Sequence, residues 1–288
     1  MTAVVVTAVG PLALVQDLGR PGHAALGVTG SGAADRTALR LANRVLGNDE
    51  GAACIEVLLG GLALRAEGRV TVCVSGAPVP LSLNGSSADQ YVPLDLRDGD
   101  VLAVGGPVRG LRSYVALRGG ITVPLALGSA SSDVTSGLGP PPLAPGSRLE
   151  IGAAGGSVVA SDLASSRASF DAVMVRVVLG PRDDWFSVDA IRLLGSVAWT
   201  VSPDSDRVAS RLSGPELTRR CAGELPSEGV VRGSIQVPAS GQPLVFLADH
   251  PTTGGYPVLA VVLDADTDLL GQARPGDRVR FSPRRRPW

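Results

Sequence analysis

Polar side chains that could act on a small molecule are concentrated near the start of the chain, in VQDLGRPGHAALGVTGSGAAD at residues 15–35. Glycines let a backbone approach a ligand closely, and the start of a following helix favours anionic groups. Arg20 could hold a carboxylate or a phosphate, and Asp17 or Asp35 could position it or act as a base. The alternative is a turn-rich connection with a surface pair of Asp17 and Arg20. The candidates in this stretch are Gln16, Asp17, Arg20, Ser31 and Asp35.

A second polar loop, ADHPTTGGYPV at residues 248–258, lies between two apolar stretches. Two hydroxyls, two glycines and a phenol make it dense in hydrogen-bonding groups, so we interpret it as a second candidate binding loop. The alternative is a simple hairpin turn. The candidates here are Thr252, Thr253, Gly254, Gly255 and Tyr256, preceded by Asp249 and His250.

Three weaker candidates lie elsewhere in the sequence. Arg118 stands beside Gly119 and Gly120, and Gln236 lies in the strand-like stretch 233–238. Glu56 lies inside an apolar stretch, where an unpaired carboxylate would be costly. We therefore expect Glu56 to meet an arginine.

The composition excludes several mechanisms. All 26 basic residues are arginine, so Schiff-base chemistry, a pyridoxal phosphate linkage and a P-loop lysine are excluded. With 2 histidines and 3 cysteines, histidine dyads and zinc cages are nearly excluded, and we expect no metal site. The cysteines (Cys54, Cys73 and Cys221) form no C-x-x-C pair and are expected to be buried small apolar residues.

Charge and hydropathy set the expected surroundings of the protein. A net charge of -1 gives no basic field, so nucleic acid is not an expected partner. The start of the chain has no basic residue before an apolar run, and no apolar run is long enough to cross a bilayer. We therefore expect a cytoplasmic protein without a membrane partner.

The elements that must position these residues are mostly strands. Frequent glycines and prolines separate short Val- and Leu-rich stretches, which favours a mainly β sandwich or barrel architecture with few short helices. The clearest helical pattern covers residues 33–46, with Ser31 or Gly32 as N-cap and Gly47 as the stop. Shorter helices are expected near 188–194 and 266–270.

Two barrel-like domains are expected. A turn with glycine followed by a strand-like run recurs at residues 97–102, 144–149 and 274–279, which suggests more than one barrel-like unit. The Gly-, Pro- and Ser-rich stretch 128–169 indicates a boundary near residue 165. The predicted domains are an N-terminal β domain with one helix at 1–165 and a C-terminal β-barrel domain at 166–288.

Four stretches that include these clusters resemble a known family. Residues 15–61, 113–121, 175–186 and 228–262 are similar to the Kip-antagonist-type family, also called allophanate hydrolase subunit 2 or the 5-oxoprolinase C subunit. The resemblance implies cyclophilin-like barrel domains. It also implies ATP-dependent opening of the amide substrate 5-oxoproline to glutamate, together with a Kip-inhibitor or allophanate hydrolase subunit 1-type partner (the 5-oxoprolinase B subunit) and the 5-oxoprolinase A subunit.

The resemblance also implies roles for residues. Arg20 and Arg118 would neutralise phosphate or substrate carboxylate, while Asp17, Asp35, Thr252 and Thr253 would position the substrate or a Mg²⁺-bound ATP, on this chain or at a subunit interface. The chain departs from the family pattern at Ala130, where an arginine is usual, at the glycine-rich segment 137–142, and at His250-Pro251, where Arg-Gln is usual.

Three functions remain open from the sequence. The first is a 5-oxoprolinase subunit that is active only within a complex. The second is the carboxyltransferase half of a biotin-dependent urea or amide carboxylase, for which another protein must carry the biotin because this chain has no lysine. The third is a non-catalytic regulatory partner of a Kip-inhibitor-type protein.

Overall fold

The chain divides into two compact units. The computed structural model describes residues 2–158, 172–221, 223 and 225–284. The first unit comprises Met1–Arg20 and Ser31–Arg167, and the second comprises Pro21–Gly30 and Ala168–Trp288. The predicted boundary near residue 165 lies outside the described residues. The segment Pro21–Gly30 groups with the second unit although it lies early in the sequence, so the second unit is discontinuous along the chain.

The first unit contains twelve strands and one α-helix among its described residues. The strands are β1 (Ala3–Ala8), β2 (Leu12–Gln16), β3 (Cys54–Leu58), β4 (Leu62–Glu67), β5 (Val70–Gly76), β6 (Leu81–Leu83), β7 (Ser86–Ala88), β8 (Leu94–Leu96), β9 (Val101–Val104), β10 (Arg112–Leu117), β11 (Ile121–Thr122) and β12 (Arg148–Ile151). The helix is α1 (Arg36–Leu46).

These strands form two sheets. One has the order β11-β12-β1-β4-β9-β6-β7, and the other has the order β2-β3-β10-β5-β8. One apolar cluster joins them, with Val4 and Leu64 from the first sheet and Ile55 and Val115 from the second. Side chains alternate between the faces of a strand. Cys54 therefore points to the other face of the second sheet, where it packs in the same cluster as residues of α1.

The second unit is built around a closed barrel. Its strands are β13 (Val173–Leu179), β14 (Ala198–Val201), β15 (Ala209–Ser213), β16 (Glu228–Gly229), β17 (Ser234–Gln236), β18 (Leu244–Phe246), β19 (Thr253–Gly254), β20 (Val258–Val262) and β21 (Arg278–Arg284). The barrel order is β13-β20-β17-β18-β15-β14-β21, and β21 closes it by pairing in parallel with β13. Strands β16 and β19 form a separate antiparallel pair.

Large side chains fill the barrel, because a closed sheet has one inner face to pack. Trp199, Phe186 and Phe281 are buried there with Val, Leu and Ile from the strands. Two helices belong to this unit, α2 (Val188–Ser196) and α3 (Asp264–Leu270). Short 3-10 turns occur at Ala24–Leu26 and Asp183–Trp185.

The mainly β class with few short helices is confirmed, and so is the stop of α1 at Gly47, which has a φ of 68°. The N-cap prediction is wrong. Ser31 (φ 50°) and Gly32 (φ 94°) lie in a left-handed turn, and Asp35 caps α1 by accepting a hydrogen bond from the Ala38 amide at 3.0 Å. The left-handed turn at Ser31 and Gly32 therefore lies before the helix and does not cap it.

The cysteine prediction is correct for two residues and wrong for the third. Cys54 and Cys73 are buried, and burial raises the pKa of Cys73 to about 12. Cys221 is exposed, because it lies in a connection outside the strands. Within the described part of the chain, no helix is long and apolar enough to cross a membrane.

Candidate functional site

The structure brings three segments of the first unit together: residues 16–20, 31–35 and 126–133, here called the Asp17 cluster. The Ala33 amide donates to the Asp17 carbonyl at 2.9 Å, and the Ser132 amide donates to the Val15 carbonyl at 2.9 Å. These backbone bonds fix residues 31–35 and 126–133 to the end of β2. The segment 126–133 contains the Ala130 departure from the family pattern.

Asp17 is the centre of this cluster. Its carboxylate accepts hydrogen bonds from the Gly19 amide at 2.7 Å and the Ala130 amide at 2.7 Å. It also accepts from the hydroxyls of Ser129 at 2.6 Å and Ser131 at 2.5 Å. Four donors therefore converge on one carboxylate. This is an arrangement that holds a loop in place, and it leaves little of the carboxylate for a substrate.

Arg20 lies inside the molecule, with only 1% of its surface exposed. Its Nε donates to the Ala126 carbonyl at 3.2 Å, and its Nη2 donates to the Ser131 carbonyl. The alternative of a surface pair between Asp17 and Arg20 is therefore wrong, because Arg20 is buried and its guanidinium contacts backbone carbonyls instead.

Gln16 and Ser31 complete the cluster. Both are fully buried, and both donate to the Ser132 carbonyl, Gln16 from Nε2 at 2.8 Å and Ser31 from its hydroxyl at 3.3 Å. Ser31 has a positive φ of 50°, which few residues other than glycine adopt. The turn that aims Ser31 at the segment 126–133 is thus part of the site geometry.

A buried network supports the start of α1 beside this cluster. The Tyr114 hydroxyl donates to Glu56 at 2.7 Å and accepts from the Asp35 amide at 2.8 Å. Glu56 also accepts from the Ala34 amide at 2.9 Å and pairs with Arg112 at 3.4 Å, so the expected arginine partner is confirmed. Burial, and then the Glu56 charge, raise the pKa of Tyr114 well above its usual value.

Tyr114 is a residue that sequence reasoning missed as a site residue. The available signal was a lone tyrosine in the apolar stretch 112–117. Asp35 is placed by this network and by its role as N-cap, with its surface fully buried. Asp35 therefore positions the 31–35 segment at the start of α1.

Arg118, Gly119 and Gly120 form a separate turn after β10. Arg118 donates from Nη2 to the Gly156 carbonyl at 3.1 Å, and the Gly119 amide donates to Asn48 Oδ1 at 2.8 Å. Gly119 has a φ of 103°, and a Cβ there would lie 2.1 Å from the Gly152 carbonyl. The paired glycines therefore allow two backbones to approach closely, and the hydrogen bonds of this turn go to residues outside the Asp17 cluster.

In the second unit, the predicted loop 252–256 lies against Gln236. Gln236 is 2% exposed, and its Nε2 donates to the Tyr256 carbonyl at 2.9 Å. A Cβ on Gly254 would lie 2.4 Å from that amide nitrogen, so only glycine fits without displacing Gln236. Thr253 and Tyr256 are exposed, whereas Thr252 and Gly254 are half-buried. The structure thus brings Gln236 and the loop together and leaves the Thr253 hydroxyl and the Tyr256 phenol exposed to solvent.

The residues that precede this loop have structural partners. Asp249 receives two hydrogen bonds from Arg207, at 2.7 Å and 3.1 Å, and both side chains are buried. His250 contacts the Pro251 carbonyl through Nδ1 at 2.7 Å and lies near the Phe246 ring. The density of polar groups before Thr252 is therefore explained by buried contacts that fix the loop.

Two further arginines of the second unit have specific partners. Arg182 forms a two-contact ion pair with Glu228 of β16, which lowers the pKa of Glu228 through hydrogen bonding. Arg219 donates to the Val237 carbonyl, and burial lowers its pKa. Sequence reasoning missed all three residues, because no local pattern marks an ion pair across 46 positions or a contact with a backbone carbonyl. Within the described ranges, no group of three or more His, Cys, Asp or Glu side chains is arranged to hold a metal ion.

Comparison with known proteins finds relatives that match almost the whole chain. The 5-oxoprolinase C subunit of Haemophilus influenzae is 34% identical over 272 residues, covering 93% of this chain and 87% of that protein. The protein of the same name from Escherichia coli is 35% identical over 279 residues, covering 93% of this chain and 86% of that protein.

A solved structure is also similar. The crystal structure of the K. lactis urea amidolyase matches 98% of this chain with a TM-score of 0.91 and 29% identity, although the match covers only 18% of that longer chain. The family described as the carboxyltransferase domain, subdomain A and B, matches residues 26–283. The two-unit β fold described above is therefore that of the carboxyltransferase domain, subdomain A and B, family, to which this chain belongs.

Proposed function

We propose that this chain is the C subunit of a 5-oxoprolinase and helps to open 5-oxoproline to glutamate together with partner subunits. The observation that carries the proposal is its near full-length match to two relatives that are named as the 5-oxoprolinase C subunit. Such a subunit implies further subunits, and we propose a Kip-inhibitor-type B subunit and an A subunit as those partners. The proposed complex consumes ATP, because opening an unstrained lactam at neutral pH requires activation of its carbonyl.

The side chains of this chain differ in what they can contribute. Thr253 and Tyr256 are exposed and stand on a loop fixed by Gln236, so they can contact a ligand. Asp17 and Asp35 are occupied by hydrogen bonds within the fold. We therefore propose Thr253 and Tyr256 as ligand contacts and treat the two aspartates as positioning residues.

The Asp17 cluster does not fit a nucleotide phosphate. A phosphate needs an accessible cation or a row of free amides, whereas Arg20 is buried and already donates to two carbonyls. The chain also has no lysine. We therefore propose that ATP, with its Mg²⁺, is held by a partner protein or at the interface with it, and no step of the reaction is assigned to Arg20.

The test is a reconstituted assay. The purified chain is mixed with the A and B subunits, ATP and 5-oxoproline, and glutamate and ADP are measured. We expect both products only when all proteins are present. Absence of glutamate with every combination of proteins would sink the proposal.

A matched pair of variants tests the role of the loop. Thr253→Ala removes an exposed hydroxyl of the 252–256 loop, while Thr200→Ala removes an exposed hydroxyl on β14 of the same unit. We expect Thr253→Ala to lower kcat/KM by about tenfold, since a transition-state contact of ~1.4 kcal/mol is lost. Thr200→Ala should retain full activity. Equal activity of the two variants would show that the Thr253 hydroxyl does not contact the ligand.

The match to a urea amidolyase structure and to the carboxyltransferase family supports a second candidate. In that case the chain would be one half of a carboxyltransferase that moves a carboxyl group from biotin to urea or another small amide. Another protein must carry the biotin, because this chain offers no lysine for attachment. The test is urea-dependent loss of the carboxyl group from a carboxybiotin carrier protein, which the first candidate does not predict.

A further inference from the structure

Residues 125–130 of the first unit contain a short hairpin, here called the Leu127 hairpin. The Ala126 amide donates to the Ser129 carbonyl at 2.9 Å, and the Ser129 amide donates back to the Ala126 carbonyl at 3.2 Å. Leu127 and Gly128 make the turn between them, with φ values of 51° and 80°. A two-residue turn with both central residues at positive φ favours Asn-Gly, because a large side chain is disfavoured there. The backbone of this turn therefore does not explain a leucine at position 127.

Two leucines of the Leu127 hairpin face the solvent. Leu125 is 64% exposed and Leu127 is 46% exposed. Because they are two positions apart, their Cα atoms lie within about 7 Å of each other. A single exposed leucine is ordinary on a protein surface. Two neighbouring ones, one of them at positive φ, add backbone strain without burying apolar surface, so the stability of the fold does not account for them.

Buried charged side chains hold both sides of the Leu127 hairpin. Arg20, which is 1% exposed, donates from Nε to the Ala126 carbonyl at 3.2 Å. Asp17 accepts hydrogen bonds from the Ser129 hydroxyl at 2.6 Å and from the Ala130 amide at 2.7 Å. The chain is thus fixed immediately before and after the turn. Apolar groups that are already fixed lose less conformational entropy on binding than groups on a mobile loop.

The sequence around the hairpin is almost free of charge. Between residues 119 and 147 the only charged residue is Asp133, although 18% of the chain is charged. Asp133 is 2% exposed, so this stretch presents no charged side chain to solvent. The centres of protein–protein interfaces are depleted in charged residues, whereas loops that bind membranes usually carry basic residues that contact lipid head groups. The composition therefore favours an uncharged protein surface over a membrane.

We propose that the Leu127 hairpin is a docking element for a partner protein, and that Leu125 and Leu127 enter an uncharged apolar pocket on that partner. The proposal rests on the proposed function in taking the partner to be the Kip-inhibitor-type B subunit. Asp17 and Arg20 then contribute by fixing the hairpin in the conformation that docks. Because the stretch 119–147 exposes no charged side chain, association through the hairpin depends little on salt.

The first experiment measures binding of the full chain to the purified B subunit by isothermal titration calorimetry. Leu127→Asn suits the turn and removes the apolar side chain. Leu59→Asn is the matched control, because Leu59 is another exposed leucine at positive φ (54°, 42% exposed), between β3 and β4. We expect Leu127→Asn to weaken binding about tenfold and Leu59→Asn to leave it unchanged. Raising the salt concentration about tenfold should change the wild-type Kd less than about threefold.

A second measurement separates docking from a structural role. Leu127→Asn relieves an unfavourable backbone position, so hydrogen exchange of peptides covering residues 129–133 should be as slow as in the wild type or slower. Faster exchange would show that Leu127 supports the fold and would overturn the inference. Leu125→Ser leaves both turn residues in place, so it provides an independent variant, for which we expect about fivefold weaker binding to the B subunit.

Four binding results would also overturn the inference. One is no binding of the wild-type chain to the B subunit, and another is equal binding by the Leu127→Asn and Leu59→Asn variants. The third is self-association of the wild-type chain in analytical ultracentrifugation that Leu127→Asn abolishes, since the hairpin would then bind a second copy. The fourth is co-sedimentation with phosphatidylcholine–phosphatidylserine vesicles that Leu127→Asn abolishes.

The reconstituted assay distinguishes failure of this inference from failure of the proposed function. Binding to the B subunit that requires Leu127, without release of glutamate in any mixture, would contradict the proposed function alone. Release of glutamate at limiting B subunit that is the same for the wild type and Leu127→Asn would contradict this inference alone.

Discussion

Replacing Asp17 by asparagine should destabilise the segment 126–133 and leave the rest of the fold in place. The carboxylate accepts four hydrogen bonds, from Gly19, Ser129, Ala130 and Ser131. In the variant, one oxygen becomes an NH₂ group that faces an N–H or O–H donor, and the other bonds lose the assistance of a negative charge. We expect a loss of about 2–3 kcal/mol, since a hydrogen bond to a charged group contributes roughly 1.5–3 kcal/mol and Asp17 is only half-buried.

The direct assay is hydrogen exchange of peptides that cover residues 126–133. A loss of 2–3 kcal/mol corresponds to exchange about 30- to 150-fold faster in this segment. Asp95→Asn is the matched control, because Asp95 is exposed and accepts one hydrogen bond, from Thr71 at 2.7 Å. Its effect on stability should stay within about 0.5 kcal/mol.

The positions of the tryptophans make a second readout possible. Trp185 and Trp199 belong to the second unit, and the ranges of the first unit contain no tryptophan, so tryptophan fluorescence reports on the second unit while exchange of residues 126–133 reports on the first. The reasoning would be refuted by an Asp17→Asn protein whose segment 126–133 exchanges at the wild-type rate. If such a protein were also inactive in the reconstituted assay, Asp17 would be a catalytic residue after all.

Three further predictions follow from buried groups. Tyr114→Phe should lower the free energy of unfolding by about 2–3 kcal/mol in guanidinium titrations, because the hydroxyl makes two buried hydrogen bonds; an unchanged midpoint would contradict this. Asp249→Asn should cost about 3–5 kcal/mol and shift the tryptophan fluorescence transition, because it breaks a buried pair with Arg207; a shift no larger than that of Asp95→Asn would count against it. Iodoacetamide at pH 8 should modify the native protein once, at Cys221, because Cys54 and Cys73 are buried and burial raises the pKa of both thiols, which keeps them protonated and shielded; mass spectrometry showing rapid modification of Cys54 or Cys73 would be inconsistent with their burial.

The local elements were largely predictable from the sequence. The helices expected near 188–194 and 266–270 coincide with α2 and α3, and Gly47 ends α1 as expected. These features depend on side-chain patterns and on turn residues that act over a few positions. The N-cap at Asp35 was missed, because the left-handed turn at Ser31 and Gly32 is set by contacts with distant residues and leaves little trace in the local sequence.

The assembly of the candidate site was much less predictable. The bond between Gln16 and Ser132 joins residues 116 positions apart, and that between Arg20 and Ser131 joins residues 111 apart. Chemistry identified Asp17 and Arg20 as candidate ligand contacts, but nothing in the local sequence shows that both side chains also hydrogen-bond to the segment 126–133. Gln236 and Tyr256, only 20 positions apart, were both selected and do meet.

The parallel pairing of β13 with β21 has a consequence for synthesis of the second unit. These are its first and last described strands in sequence order, and they are neighbours across the seam that closes the barrel. During translation, β13 leaves the ribosome about a hundred residues before its partner, so the edges of both β13 and β14 stay open until residues 278–284 emerge. Chains that stop before residue 278 should therefore expose two unpaired strand edges at once and aggregate, even though most of the core residues of the unit are already present.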